Sequence, residues 1–196
     1  MPLSKITSSN IEPLTLTEAK DHLRVDFTKE DALISRLIVA AREAFEDDTP
    51  RQLLTATWKQ FFDGFPQFDH ERIRIAKPPL VSVAAVSYFD TSGVLQTWPA
   101  AEYTVEAFSG PKAERGVLFP KPDEEYPQTR RIPNAVTIDF DAGYGVLASD
   151  VPFEIKEALL AWIGHHYNNR ELVIVGQTAA RVPMLGFEPW QDADFG

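Results

Sequence analysis

Apolar side chains recur at spacings of three and four over Leu33, Ile34, Leu37, Ile38, Ala41, Ala44 and Phe45, and again over Ile155, Leu159, Trp162, Ile163 and His166. Between these stretches the spacing falls to two. A period near 3.6 gives a helix one apolar face, and strict alternation does the same for a strand. A chain that passes from the first period to the second and back reads as α+β. The expected class is a small antiparallel bundle of three main helices with a β-rich inserted region and an extended C-terminal arm.

The helix limits follow from local chemistry. "TLTE" fits a capping box with Thr15 as N-cap and Glu18 three residues on, which predicts a short helix over 16–26 whose face carries Leu16, Ala19 and Leu23. "TKED" repeats the signal at Thr28 and Asp31 and predicts a second helix over 29–47. Glu46, Asp47 and Asp48 then stand where the helix dipole disfavours anions, and Pro50 turns the chain away. A third helix is predicted over 152–168, with Pro152 in its first turn. Asn168 and Asn169 suit its C-terminus, because Asn tolerates the left-handed conformation, and Arg170 can meet the last carbonyls.

The alternating middle begins at "LLTATWKQFFD" and continues through "ERIRIA", "SVAAVSYFD", "GVLQTW", "EYTVEA", "GVLFP" and "NAVTIDFDAGYG". Turn clusters such as "DGFPQFD" and "DTSG" separate these strands, and Gly93 is placed where a hairpin needs positive φ. No internal repeat is visible. The organisation expected is an N-terminal helical part over 1–53, a β-rich insert over 54–150, a C-terminal core helix over 151–171 and a docking arm over 172–196.

Charge and composition exclude several functions. With 19 Lys and Arg against 29 Asp and Glu, the net charge is −10, the opposite of the basic footprint that grips a phosphate backbone. There is no cysteine, which removes disulfides, thiolate metal sites and a Cys nucleophile. No apolar run approaches the roughly 20 residues that cross a bilayer, and the N-terminus has no continuous apolar segment of a secretion signal. The expectation is a soluble, unexported protein with no membrane contact.

Three stretches invite a chemical reading. His165 and His166 are consecutive, so a helix turns them about 100° apart and they cannot share one ion as an i, i+4 pair would. A packed or capping role is expected. Asp139 and Asp141 are two apart on a strand and face the same side, as a metal-dependent hydrolase or nuclease using Asp139, Asp141 and His165 would need. The competing reading is a strand end entering the Gly143–Gly145 turn with its acids in solvent. No phosphate loop and no nucleophile elbow is present. No cofactor or metal is called for. Finally, "VPMLGFEPW" places Val182, Pro183, Met184, Leu185, Phe187 and Trp190 beyond the last periodic element. An arm with Met and aromatic anchors has the composition of a docking segment, and the alternative is that it folds back on its own domain.

The stretches "LTLTEAKDHLRVD", "DALISRLIVAAREAFEDDTPRQLLTATWKQFFDGFP", "PPLVSVAAVSYFDTSG", "FDAGYG" and "VPFEIKEALLAWIGHHYNNRE", in this order, resemble the head-to-tail connector family of long-tailed bacteriophages and phage-like gene transfer particles. The likeness covers nearly residues 11–171, and the β-rich middle is similar to the longer subfamily. It implies a non-enzymatic adaptor in the virion neck, assembled in the host cytoplasm. Such an adaptor forms a homo-oligomeric ring, usually dodecameric, beneath the portal, and extends the DNA channel without specific DNA binding. The ring carries the stopper or a tail-completion protein; a different neck or tail component is the neighbouring alternative. The resemblance assigns Leu23, Leu33, Leu37, Ile38, Phe45, Ile155, Leu159 and Trp162 to the scaffold core, and Val182 to Trp190 to portal contact.

Overall fold

The computed structural model describes residues 2–68, 71–169 and 187–191. Among them are three α-helices, α1 (Leu16–Leu23), α2 (Asp31–Asp48) and α3 (Phe153–Asn168). The strands are β1 (Leu3–Lys5), β2 (Ala56–Phe62), β3 (Ile73–Arg74), β4 (Leu80–Phe89), β5 (Leu95–Thr97), β6 (Tyr103–Glu106), β7 (Val117–Pro120) and β8 (Val136–Ala142). The class is α+β, as the change of period requires.

α1 opens on the expected capping box: Thr15 Oγ1 accepts the Glu18 amide at 3.1 Å, and Glu18 Oε2 accepts the Thr15 amide at 2.7 Å. The helix stops three residues earlier than its sequence suggests. Arg24 adopts the left-handed conformation at φ 56, and the Val25 amide donates back to Lys20 O at 3.0 Å. Lys20 then donates to Phe27 O and pairs with Asp31 at 2.7 Å, which ties down the connection to α2. Because Asp31 is engaged there, no second capping box forms at Thr28; α2 starts at Asp31 behind Glu30, which makes no side-chain cap bond. At the other end Thr49 Oγ1 and its amide both donate to Phe45 O, closing the helix before Pro50.

One core lies among the helices. Ile34, Ile38, Ala41 and Phe45 of α2 meet Ile155, Leu159 and Ile163 of α3 and Ala19 of α1, with Leu53 and Leu54 arriving from the segment that follows α2. Leu23, Leu37 and Trp162 pack on this cluster half-buried. Leu33 is half-buried and outside this cluster, a correction to its expected core place: it lies about 100° round the helix from Ile34, towards the edge of the face that meets the core.

The sheets carry a second core. A five-stranded antiparallel sheet runs in the order β1-β2-β8-β4-β5, and a three-stranded one in the order β3-β7-β6. In β8, Val136, Ile138, Phe140 and Ala142 point inward while Thr137, Asp139 and Asp141 alternate away. Ile73, Tyr103 and Leu118 of the smaller sheet join them, and Phe65 stacks on Tyr126 at 5.4 Å and meets Trp98 edge-on at 5.2 Å and Tyr88 at 5.7 Å. The first strand was not legible as one: "LSK" has no alternation, and β1 exists because β2 offers it an edge, in the register Leu3 to Gln60 and Lys5 to Trp58.

The "GYG" corner joins the two cores. The Gly143 amide donates to Pro79 O, the Tyr144 amide to Leu53 O, and the Thr55 amide to Gly145 O. Gly143 has φ 142, and a Cβ there would lie 2.5 Å from the Thr55 nitrogen. Only glycine lets the strand end approach the backbone after α2 so closely.

Candidate interaction surfaces

The junction between helices and sheets holds two buried charged groups. Glu46, in the last turn of α2, accepts from the Gln52 side chain at 2.6 Å and the Leu53 amide at 3.2 Å, and pairs with Lys5 at 3.3 Å and Arg42 at 3.5 Å. Those donors offset the unfavourable meeting of an anion with a helix C-terminus. Arg51 is 4% exposed. Its Nη1 donates to Ala113 O at 2.9 Å and to the Tyr144 hydroxyl at 3.2 Å, and its Nε donates to Trp190 O at 3.3 Å. The Tyr144 hydroxyl in turn donates to Pro111 O at 2.7 Å, and burial raises its pKa above the ordinary tyrosine value despite the nearby guanidinium.

The C-terminal residues 187–191 sit on this junction. Phe187 is fully buried with its ring edge-on to Phe45 at 4.9 Å, and Trp190 lies 5.9 Å from the same ring. Gln191 donates to Asp48 at 2.6 Å. Phe187 and Trp190, read from sequence as exposed docking anchors, are therefore spent on the chain's own helical core, because that core leaves Phe45 open at the end of α2. Val182, Pro183, Met184 and Leu185 lie outside the described residues, as do Arg170 and Glu171.

The carboxylates of β8 are occupied by sheet neighbours. Asp141 accepts from Thr57 at 2.8 Å and Ser82 at 3.3 Å, and Asp139 pairs with Lys59 at 3.2 Å. Both face the same side, as strand geometry demands, yet no group of three His, Asp or Glu among the described residues is placed to share an ion. His166 stacks on Trp162 with centroids 3.6 Å apart and holds Trp162 O at 2.9 Å. His165 is the carbonyl that the Asn169 amide and side chain both approach at 2.9 Å. Asn168 likewise donates to Gly164 O. The two asparagines thus cap α3 through their side chains; Asn169 stands at φ −119, not in the left-handed region expected for it.

A polar cleft of about 510 Å³ opens beside the end of α2, with Glu46, Asp47, Asp48, Lys77, Arg115 and Gln191 in its lining. Burial holds the Lys77 ammonium below the usual lysine range, against the attraction of Glu46. Acids and bases share the cleft, so it offers no single sign of field to a charged ligand. Elsewhere the surface leaves large apolar side chains in solvent, most of all Phe153 at 73%, with Val146 and Leu147 just before it in the chain. No described helix is long and apolar enough to cross a membrane.

The described residues bring no catalytic or metal-binding constellation together. Residues 13–79 match the phage gp6-like head-tail connector protein family. The match takes in α1, α2, β2 and β3 and stops just before β4, so it rests on the first two helices and the strands that follow them. The fold is similar to a chain in the virion of a native gene transfer agent particle, with TM-score 0.74 and 22% identity over 97% of this chain and 95% of that one. It is also similar to a chain in the neck of the native particle computed with C12 symmetry, at TM-score 0.71 and 23% identity, again over 97% and 95%. A third likeness is to the neck of the empty particle computed with C6 symmetry, at TM-score 0.71 and 22% identity. Among curated proteins none matches. The strands from β4 onward and α3, which the family match does not reach, are thus shared with neck chains at the level of the fold.

Proposed function

We propose that this chain is a head-tail connector, a structural adaptor in the neck of a phage or phage-like particle, and not an enzyme. The observation that carries the reading is the coincidence of two findings: the connector-family match over residues 13–79 and a fold shared over nearly the whole chain with neck chains of gene transfer agent particles. The protein forms a closed ring, dodecameric by analogy with the C12 neck, that extends the DNA channel below the portal and carries the stopper or a tail-completion protein. Closed rings need two different patches on each subunit, and the exposed apolar residues Val146, Leu147 and Phe153 are the kind of surface a lone subunit leaves for a neighbour. The net charge of −10, multiplied around the ring, lets DNA pass without being held.

The division of labour follows the two cores. Residues 1–53 and 151–171 supply the ring body and residues 54–150 a β insert upon it; β1, although in the first segment, contributes to the insert's sheet. Portal contact is assigned to Val182, Pro183, Met184 and Leu185. Phe187 and Trp190 are removed from that role while they sit on Phe45.

Mass photometry of the full chain, alone and mixed with the portal protein of the same particle, tests the reading. A ring that joins portal supports it; no ring and no portal association would sink it. A chain cut after Glu171 would also strip Phe187 and Trp190 from the helical core, so Met184→Ser with Leu185→Ser is the cleaner variant. It should keep the fold and weaken the portal complex by at least tenfold.

A further inference from the structure

Two exposed apolar groups stand at opposite ends of β4, and the charges around them are of opposite sign. At its start, where the Gly143 amide meets Pro79 O at 2.9 Å, the connection from β8 to α3 carries Val146, Leu147 and Phe153 in solvent. Asp150 holds that connection in shape by accepting the Leu147 amide at 2.8 Å. Asp150, Glu154 and Glu157 are all exposed around it, and Lys156, the one base in the first two turns of α3, is paired with Glu18 at 3.2 Å. At the other end of β4, the hairpin into β5 exposes Val94 at 54% and Leu95 at 61%. The Arg130 guanidinium lies against Gly93 in the hairpin tip and Arg131 follows it, both exposed. The tip's own acid, Asp90, has its oxygens turned onto the Ser92 and Val94 amides at 2.9 Å and the Gln96 side chain at 3.0 Å. These bonds and the bridge from Asp90 to Thr129 fix the tip before it meets anything, so docking it costs little conformational entropy. β4 has ten residues and separates the two surfaces by roughly 33 Å at ~3.3 Å per residue, so they do not meet within one chain.

We infer that the β4–β5 hairpin of each copy docks on the β8–α3 connection of the next copy in the ring. Val94 and Leu95 meet Val146, Leu147 and Phe153, and Arg130 and Arg131 face Asp150, Glu154 and Glu157. The inference rests on the ring-forming reading above and names the two patches that reading needs. Three properties point to a second copy as the occupant. Apolar groups meet at the centre and complementary charges at the rim, the anatomy of a specific protein contact. Each chain carries one surface of each kind, so the contact repeats head-to-tail and none is left open when the ring closes. Two acidic faces or two basic faces would repel, which disfavours a two-fold dimer and gives the ring one direction.

Charge reversal in full-length chains tests the contact. Arg130→Glu with Arg131→Glu, or Glu154→Lys with Glu157→Lys, should each lower the fraction assembled in rings at least tenfold in mass photometry with portal present, while thermal melts stay near those of the wild type. All four substitutions in one chain should restore the ring, because every contact then has its charges exchanged. Rings from either pair at the wild-type level, or no recovery in the combined chain, would overturn the inference and leave the connector reading standing. The chain has no cysteine, which permits a second measurement. Leu95→Cys and Phe153→Cys in separate chains, mixed, assembled and treated with a short bis-thiol-reactive crosslinker, should give covalent dimers of one variant with the other. Rings that form normally without this link would likewise overturn the docking. Failure of the wild-type chain to form any ring or portal complex would instead strike the connector reading, and the hairpin contact with it.

Discussion

Arg51 holds together four pieces of chain that are far apart in sequence, and it does so with one guanidinium and three neutral acceptors. Arg51→Ala should lower the unfolding free energy by about 3 kcal/mol, measured by urea denaturation, since a buried charge-assisted set of bonds is lost and its acceptors are stranded. Arg51→Lys should recover little of this, because a single ammonium cannot present the planar fork that reaches Ala113, Tyr144 and Trp190 together. Gly143→Ala should cost about 3 kcal/mol in the same assay, from the positive φ and the backbone of Thr55 in the way. The turn at Gly143 is legible in "DAGYG". Its partner is not, because nothing in "LLTAT" announces that its backbone will pass so near. Arg51 is less legible still: in "TPRQLL" it looks like any surface arginine, and only the convergence of four segments buries it.

At the scale of the element, α1 depends on its cap. Burial works against ionisation of Glu18, but the Thr15 amide and hydroxyl and the Lys156 ammonium outweigh it and hold the carboxyl below its ordinary value. A depressed carboxyl stabilises the fold above its unfolded pKa, and the contribution is lost as pH falls through the folded value. Thr15→Ala should therefore cost about 1 kcal/mol at neutral pH, and the difference from wild type should shrink in thermal melts taken below the usual glutamate range. Helix starts of this kind are written locally, and "TLTE" reads correctly. "TKED" misleads because Lys20, eleven residues upstream, takes the Asp31 carboxylate in three dimensions. β8 follows its alternation residue by residue, whereas β4 breaks it with register shifts, β5 is exposed throughout, and β1 has no pattern of its own and is recruited by a neighbour's edge.

For the whole molecule, the charge predicts behaviour toward DNA: no retardation of a duplex at ~0.15 M salt, alone or as a ring, in an electrophoretic shift assay. The fate of Phe187 and Trp190 is decided at this scale too. Trp190→Ala should destabilise the chain by about 2 to 4 kcal/mol and speed proteolysis after α3, whereas anchors merely waiting for a partner would leave stability unchanged. The same two aromatics read equally well as a docking segment or as core, since composition reports that an apolar side chain needs burial and not whose surface provides it. The sequence by itself determined the class, the three helices, the alternating strands and the resemblance to connectors, because each is a matter of periodicity, caps and turn chemistry between near neighbours. Only the tertiary structure decided which edge β1 would join, that Arg51 would be enclosed and that residues 187–191 would close over Phe45, because those outcomes depend on surfaces that exist only after distant segments have met.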